Sequence, residues 1–398
     1  MSNLSELIID DYSYFSEIKK YPNVIIYGAG NKARLTLPLL EEKGITPAVV
    51  CDKNSDLWGT SLLKKYPICS YEHAISLFSD YCIVICATVN TSLQILSELR
   101  HKGEKKPIFH CCNLFKIDTC FLTKSFYSSN LERYEKVYKI FEDDLSKKVY
   151  LEFLNSKITG NLFSLVKLTD GNTFFDPQLL GECCPEDVYV DVGAYTGDTL
   201  CRFIAYSGLR YKKAIVFEAD GGNFSALTNF VQYGVVPNTE LINCALWSEK
   251  TEKNFYTLEN NSNFHSGYAN LFNKFSDLAD NASLFMSQKE AAGDMSQKVQ
   301  TSTLDISLSD ESPTILKVNA LAADLPILKG SIEIIKRCVP DIILEYGVRP
   351  DYILEEVEFL HQLNLGYRFY LRQKNIFGDN KTVLYALGGS RDIFRHKT

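Results

Sequence analysis

The stretch VYVDVGAYTGDT, residues 188–199, decides the fold of the larger part of this chain. An apolar run ends in small residues, and a helical pattern begins directly after them. That is a strand, a tight turn and the first turn of a helix. Asp191, Gly193, Ala194 and Gly197 form the pattern D-x-G-A-x-x-G. Small residues let a ligand approach the backbone, and a helix starting near Asp198 presents unpaired N–H groups.

The ligand's chemistry follows from the next strand, KAIVFEA, in which Glu218 stands at the carboxyl end. An ionised carboxylate only accepts hydrogen bonds, and a ribose diol offers two donors. A turn without a phosphate cradle, followed by that acid, points to S-adenosylmethionine over a nicotinamide dinucleotide. The helix N-terminus suits the ligand's carboxylate. Tyr195, Phe217 and Trp247 flank the turn as candidate walls of an adenosine pocket.

Further strands follow at β/α spacing: ELINCALW, TILKVNA and DIILEYG, with helices around 198–207, 221–233 and 323–338. YRFYLRQ and TVLYALG, joined near Gly378, form a terminal antiparallel pair. The spacing predicts seven strands. Residues 248–303 interrupt the alternation with Asn/Ser-rich sequence and read as an insert near a substrate mouth.

Upstream, NVIIYGAG, PAVVCD, YCIVICA and PIFHCC alternate with helical segments and predict a smaller parallel sheet. Gly28, Gly30 and Asn31 belong to a G-x-G-x-x-A turn ending at Ala33, and Asp52 closes the second strand. Such a turn accepts a phosphate at a helix N-terminus, with the acid on a ribose, or serves close packing without a ligand. A nucleotide or a nucleotide-sugar is the expected ligand. The expected organisation is α/β with two Rossmann-like units: a nucleotide-binding domain over 1–115, a helical connector over 116–175 and a second domain over 176–398.

Composition narrows the function classes. The 398 residues carry a net charge of −7 without a Lys/Arg block, which argues against a nucleic-acid partner. No apolar run approaches the roughly 20 residues of a membrane span, and the N-terminus lacks a signal peptide's pattern, so a cytoplasmic location is expected. The 12 cysteines show no C-x-x-C spacing, so no metal site is expected.

VYVDVGAYTGDT and VFEAD, followed by NCALW, TSTLD, ILKVNALAADLPILKG and TVLYAL, resemble the FkbM family of S-adenosylmethionine-dependent methyltransferases. The resemblance covers roughly residues 140–390. It implies a seven-stranded class I methyltransferase sheet and O-methylation of a sugar or glycan hydroxyl. It places Asp191, Gly193, Ala194, Tyr195, Gly197, Glu218, Ala219, Asn243 and Ala245 at the cofactor. The family's usual Asp-Ile-Glu-Gly-x-Glu segment reads Asn319-Ala320-Leu321-Ala322-Ala323-Asp324 here, so two carboxylates are replaced.

The candidates for moving the acceptor's proton are Glu345, His265 and Asp324, with Asn319 orienting the hydroxyl. Lys317 and Tyr346 lie near the same crevice. Glu345 could instead be a rim carboxylate paired with Arg349 or Arg372. Two other readings stand beside the methyltransferase: a binding protein that keeps the cofactor pocket without turnover, and a nicotinamide-dependent oxidoreductase led by the first unit. Nothing in the sequence fixes the oligomeric state.

Overall fold

The computed structural model describes residues 14–42, 44–87, 89–110, 124–159, 163–171, 174–234, 236–257, 269–270, 296–320, 323–346, 352–376 and 379–391. They fall into two compact units. The first comprises Met1–Ser129, Glu152–Lys167 and Ile376–Asn380, and the second Asn130–Leu151, Leu168–Asn375 and Lys381–Thr398. Among the described residues no helix is long and apolar enough to cross a membrane.

The first unit holds β1 (Val24–Tyr27), β2 (Val49–Cys51), β3 (Ser61–Leu62), β4 (Tyr66–Cys69), β5 (Cys82–Ile85) and β6 (Ile108–His110), in the spatial order β3-β4-β2-β1-β5-β6. All pairings are parallel except that of β3 with β4. β1 and β5 are buried at every position, as a parallel sheet packed on both faces requires. Ile25, Tyr27, Ile83 and Ile85 pack on one face with Ile95 and Leu99 of the helix Val89–His101. The β3–β4 hairpin is absent from the sequence reading. Its turn places Leu63 and Lys64 at φ 53° and 56°, a left-handed conformation normally signalled by Gly, Asn or Asp.

The second unit is built on β7 (Val188–Val192), β8 (Lys213–Phe217), β9 (Thr239–Ile242), β14 (Ile315–Val318), β15 (Asp341–Tyr346), β16 (Arg368–Ile376) and β17 (Asp379–Leu387). Their order is β16-β17-β15-β14-β7-β8-β9. β9, β8, β7, β14 and β15 are parallel, and β17 is antiparallel to β15. This is the expected seven-stranded sheet. A smaller sheet, β10-β13-β11-β12, is formed by β10 (Ala245–Leu246), β11 (Glu252–Thr257), β12 (Ala269–Asn270) and β13 (Ser296–Ser302).

Three readings need correction. ELINCALW is not one strand: it breaks at Asn243, and β10 leaves to pair with β13. The 248–303 insert contributes strands, because β11 pairs with β13 along most of its length. Its polar sequence lacks the apolar alternation that marks a half-buried strand. The helical stretch 323–338 is two helices, Asp324–Lys329 and Ile332–Cys338. They part at Gly330, where a Cβ would lie 2.2 Å from the Trp247 carbonyl oxygen.

An aromatic cluster fixes the helix Asp198–Ser207 against β7. Tyr189 and Phe203 stack with ring centroids 4.1 Å apart, and Phe175 meets both edge-on. At the amino end of the sheet, Arg391 is fully buried. It donates to both oxygens of Asp187 at 2.9 and 2.8 Å and to the carbonyls of Leu180 and Glu182.

Candidate functional site

From β7 the chain runs outward through β8 to β9, then returns to β14 and β15 on the other side. Open α/β sheets take ligands outside the carboxyl ends at such a reversal, here between Gly193 and Asn319. Gly193 has φ +75°, and a Cβ there would lie 2.1 Å from the Asn319 carbonyl oxygen. Only glycine lets these two strand ends approach so closely. Gly197, at φ +98°, could not carry a Cβ without meeting Phe230 at 2.7 Å.

The acid at the end of β8 is bound into this turn. Glu218 Oε2 accepts from the Tyr195 N–H at 2.8 Å, and Oε1 accepts from the Asp220 N–H at 2.8 Å. Tyr195 takes the left-handed conformation, φ 53°, in the course of the turn. Gly193 and Ala194 donate to the Phe217 carbonyl at 3.0 and 3.1 Å. Asn243 donates to the carbonyls of Glu218 and Ala219 at 2.8 and 3.3 Å. Ala245 packs with Ala219 and Trp247. The residues assigned to the cofactor therefore share one neighbourhood. Burial pushes the Glu218 carboxyl up to about 7, against the pull of its two backbone hydrogen bonds.

Asp191 lies beneath the turn. It is fully buried, with Oδ1 2.8 Å from Lys317 Nζ and Oδ2 accepting from the Tyr189 hydroxyl at 2.9 Å. Lys317 Nζ also donates to the Gly193 carbonyl at 3.0 Å. Sequence reasoning gave Lys317 no role. Its signal was a lysine inside the apolar run ILKV, which needs a buried partner. Burial disfavours the Lys317 charge, yet Asp191 and Asp198 outweigh it and its pKa stands above the ordinary value. Burial, partly countered by Lys317, raises Asp198.

The proton-transfer candidates are placed differently from one another. Asn319 sits at the crevice beside Gly193, its N–H bonded to the Val192 carbonyl at 3.0 Å. Asp324 is buried and accepts from the Ala320 N–H at 2.7 Å, closing the loop before its helix. Glu345 pairs with Lys381 at 2.8 Å, not with Arg372, which binds Asp143 at 2.6 Å. Arg349 and His265 lie outside the described residues.

The first unit repeats the turn's plan. Gly28 has φ +107°, and a Cβ there would lie 2.9 Å from the Cys86 carbonyl, across the reversal between β1 and β5. Asp52 accepts from the Ala29 N–H at 2.7 Å and the Asn54 N–H at 2.8 Å. Gly30 has open space where a Cβ would stand, and Asn31 begins the helix Asn31–Glu42.

Comparison with known proteins agrees with this geometry. Residues 191–369 match the model of the methyltransferase FkbM domain. The crystal structure of methyltransferase FkbM from Methylobacillus flagellatus is similar, with a TM-score of 0.67 over 97% of this chain and 93% of that one at 14% identity. Precorrin-6y C5,15-methyltransferase from Geobacter metallireducens overlaps 52% of this chain and 82% of its own, at 11% identity and TM-score 0.28. A SAM-dependent methyltransferase from Aquifex aeolicus overlaps 62% and 98%, at 13% and 0.26. No curated protein matches the chain. The family match over 191–369 falls on the glycine turn and its sheet, and this part of the chain is accordingly a methyltransferase FkbM domain.

Proposed function

We propose that the second unit transfers the methyl group of S-adenosylmethionine to a hydroxyl of a sugar or glycan. The observation that carries the cofactor is Glu218, a carboxyl at the end of β8 that burial pushes up to about 7 and that is joined to the glycine turn through Tyr195. Each of its oxygens accepts one backbone N–H and keeps a lone pair for a ribose hydroxyl. Asn243 and Ala245 border the same pocket. The sulfonium makes the methyl carbon electrophilic, so these residues chiefly align the acceptor oxygen with it. Asn319 does not titrate near neutral pH and can orient that oxygen by hydrogen bonding. Glu345 removes the proton once Lys381 releases it, and Asp324 holds the loop beneath.

In the first unit, Gly28, Gly30, Asn31 and Asp52 form a second site, for a nucleotide or nucleotide-sugar. Calorimetry with S-adenosylhomocysteine tests the principal reading. Glu218→Ala is expected to weaken binding by about 1.5–3 kcal/mol, the range for hydrogen bonds to a charged group. Labelled methyl transfer from S-adenosylmethionine to a glycan extract tests the acceptor class. Wild-type affinity in Glu218→Ala removes the cofactor assignment.

A further inference from the structure

The two glycine turns allow an internal comparison. In the second unit, Asp191 stands two residues before Gly193 and pairs in register with Lys317, two residues before Asn319. In the first, Ile26 stands two residues before Gly28 and pairs in register with Val84, two residues before Cys86. Ile26 and Val84 are fully buried. A glycine turn pressed on a carbonyl across the strand reversal therefore closes over an apolar pair. The buried ions of the second unit are not needed to build it, and taking them out of water is costly.

We infer that Lys317 is a positioning residue for the cofactor turn: anchored by Asp191, its ammonium fixes the Gly193 carbonyl and supplies the positive charge toward which the crevice acids are held. This rests on the reading of the crevice as an S-adenosylmethionine site. The groups around Lys317 are Asp191 and Tyr189 on β7, Asp198 on the following helix, and Glu345 on β15, itself paired with Lys381. At longer range Lys317 also favours the ionised form of Glu218. For Asp198 the lowering by Lys317 exceeds the raising by Asp191, so loss of the whole pair raises the carboxyl further. Lys317 thus favours both the geometry of the turn and the ionised state that a ribose diol requires.

The test is the full-length triple variant Tyr189→Phe, Asp191→Leu, Lys317→Met, which gives the second turn an apolar foundation like the first. The readouts are thermal unfolding and S-adenosylhomocysteine affinity from pH 6 to 9. The expected result is a midpoint within about 5 °C of wild type, since apolar replacement of a buried ion pair is often neutral. Affinity should fall about tenfold or more at pH 7, and the pH at which binding reaches half its high-pH strength should rise. Wild-type affinity with an unchanged pH profile would show that the pair merely fills space, and a variant that does not fold would show that the turn needs it. Either result overturns the inference. If the wild type itself fails to bind, the cofactor reading falls along with it, an outcome distinguishable from the other two.

Discussion

At the scale of single residues, Glu218 is the group whose chemistry is most exposed to experiment. Its carboxyl moves from an ordinary 4.5 to about 7 in the folded chain because burial disfavours the ion. Between those values the native state holds a proton that the unfolded chain has released. Its contribution to stability is therefore fully present below about 4.5 and lost as pH rises through about 7. A ligand that donates two hydroxyls to the carboxylate reverses this preference. The thermal stabilisation produced by S-adenosylhomocysteine should accordingly be larger at pH 8 than at pH 6, and Glu218→Gln should flatten that dependence. Equal stabilisation at both pH values in the wild type would mean that Glu218 stays clear of the ligand. Gly193 gives a steric counterpart. Gly193→Ala places a methyl group 2.1 Å from the Asn319 carbonyl and strains a left-handed residue, so affinity should fall at least about tenfold. A proton acceptor at Glu345 can be separated from both: Glu345→Gln should lower turnover by about 10²–10⁴ while affinity for the cofactor product stays within about threefold.

At the scale of elements, the acids and glycines work because strands deliver them to one edge. β7 and β14 supply the crevice, and the Arg391–Asp187 pair holds the opposite, amino end of the sheet together. Arg391→Met would leave Asp187 buried without its ionic partner, at a cost of about 3–5 kcal/mol. For a unit of this size that is a fall of roughly 6–20 °C in the unfolding midpoint. A change under 2 °C would show that water replaces the guanidinium there. Legibility in the sequence tracked this division. VYVDV, KAIVF and ILKV are short, apolar and closed by small or acidic residues, so their existence and the crevice-facing character of their ends could be read, while their spatial order could not. The β3–β4 hairpin could not, because Leu63 and Lys64 make a turn that residue type does not announce. β11 and β13 escaped because a polar edge sheet lacks the alternation that burial imposes. At the site, Glu218 and Gly193 were legible from local pattern. The Lys317–Asp191 pair was not, since it depends on the register between strands more than 120 residues apart in the chain.

At the scale of the whole molecule, one chain carries the same turn twice, over different foundations. Glu218 and Asp52 each stand at the end of a second strand, and each accepts an N–H from the preceding glycine turn and another from two residues further on. The proposed ligands differ, because the second turn sits over a lysine–aspartate pair and the first over isoleucine and valine. A nucleotide brings its own negative charge and gains from a helix N-terminus without buried counter-ions. S-adenosylmethionine would bring a cationic sulfonium to a crevice whose acids include Asp198 and Glu345. The two sites should therefore be chemically separable in the intact protein. S-adenosylhomocysteine should bind with a stoichiometry of about one per chain, and Asp52→Ala should leave its affinity within about twofold while Glu218→Ala lowers it by at least about tenfold. A nucleotide panel should show the reverse: binding lost in Gly28→Val, where any side chain meets the Cys86 carbonyl, and kept in Glu218→Ala. Loss of S-adenosylhomocysteine binding in Asp52→Ala, with Glu218→Ala unaffected, would move the methyl donor to the first unit and reverse the assignment of the two turns.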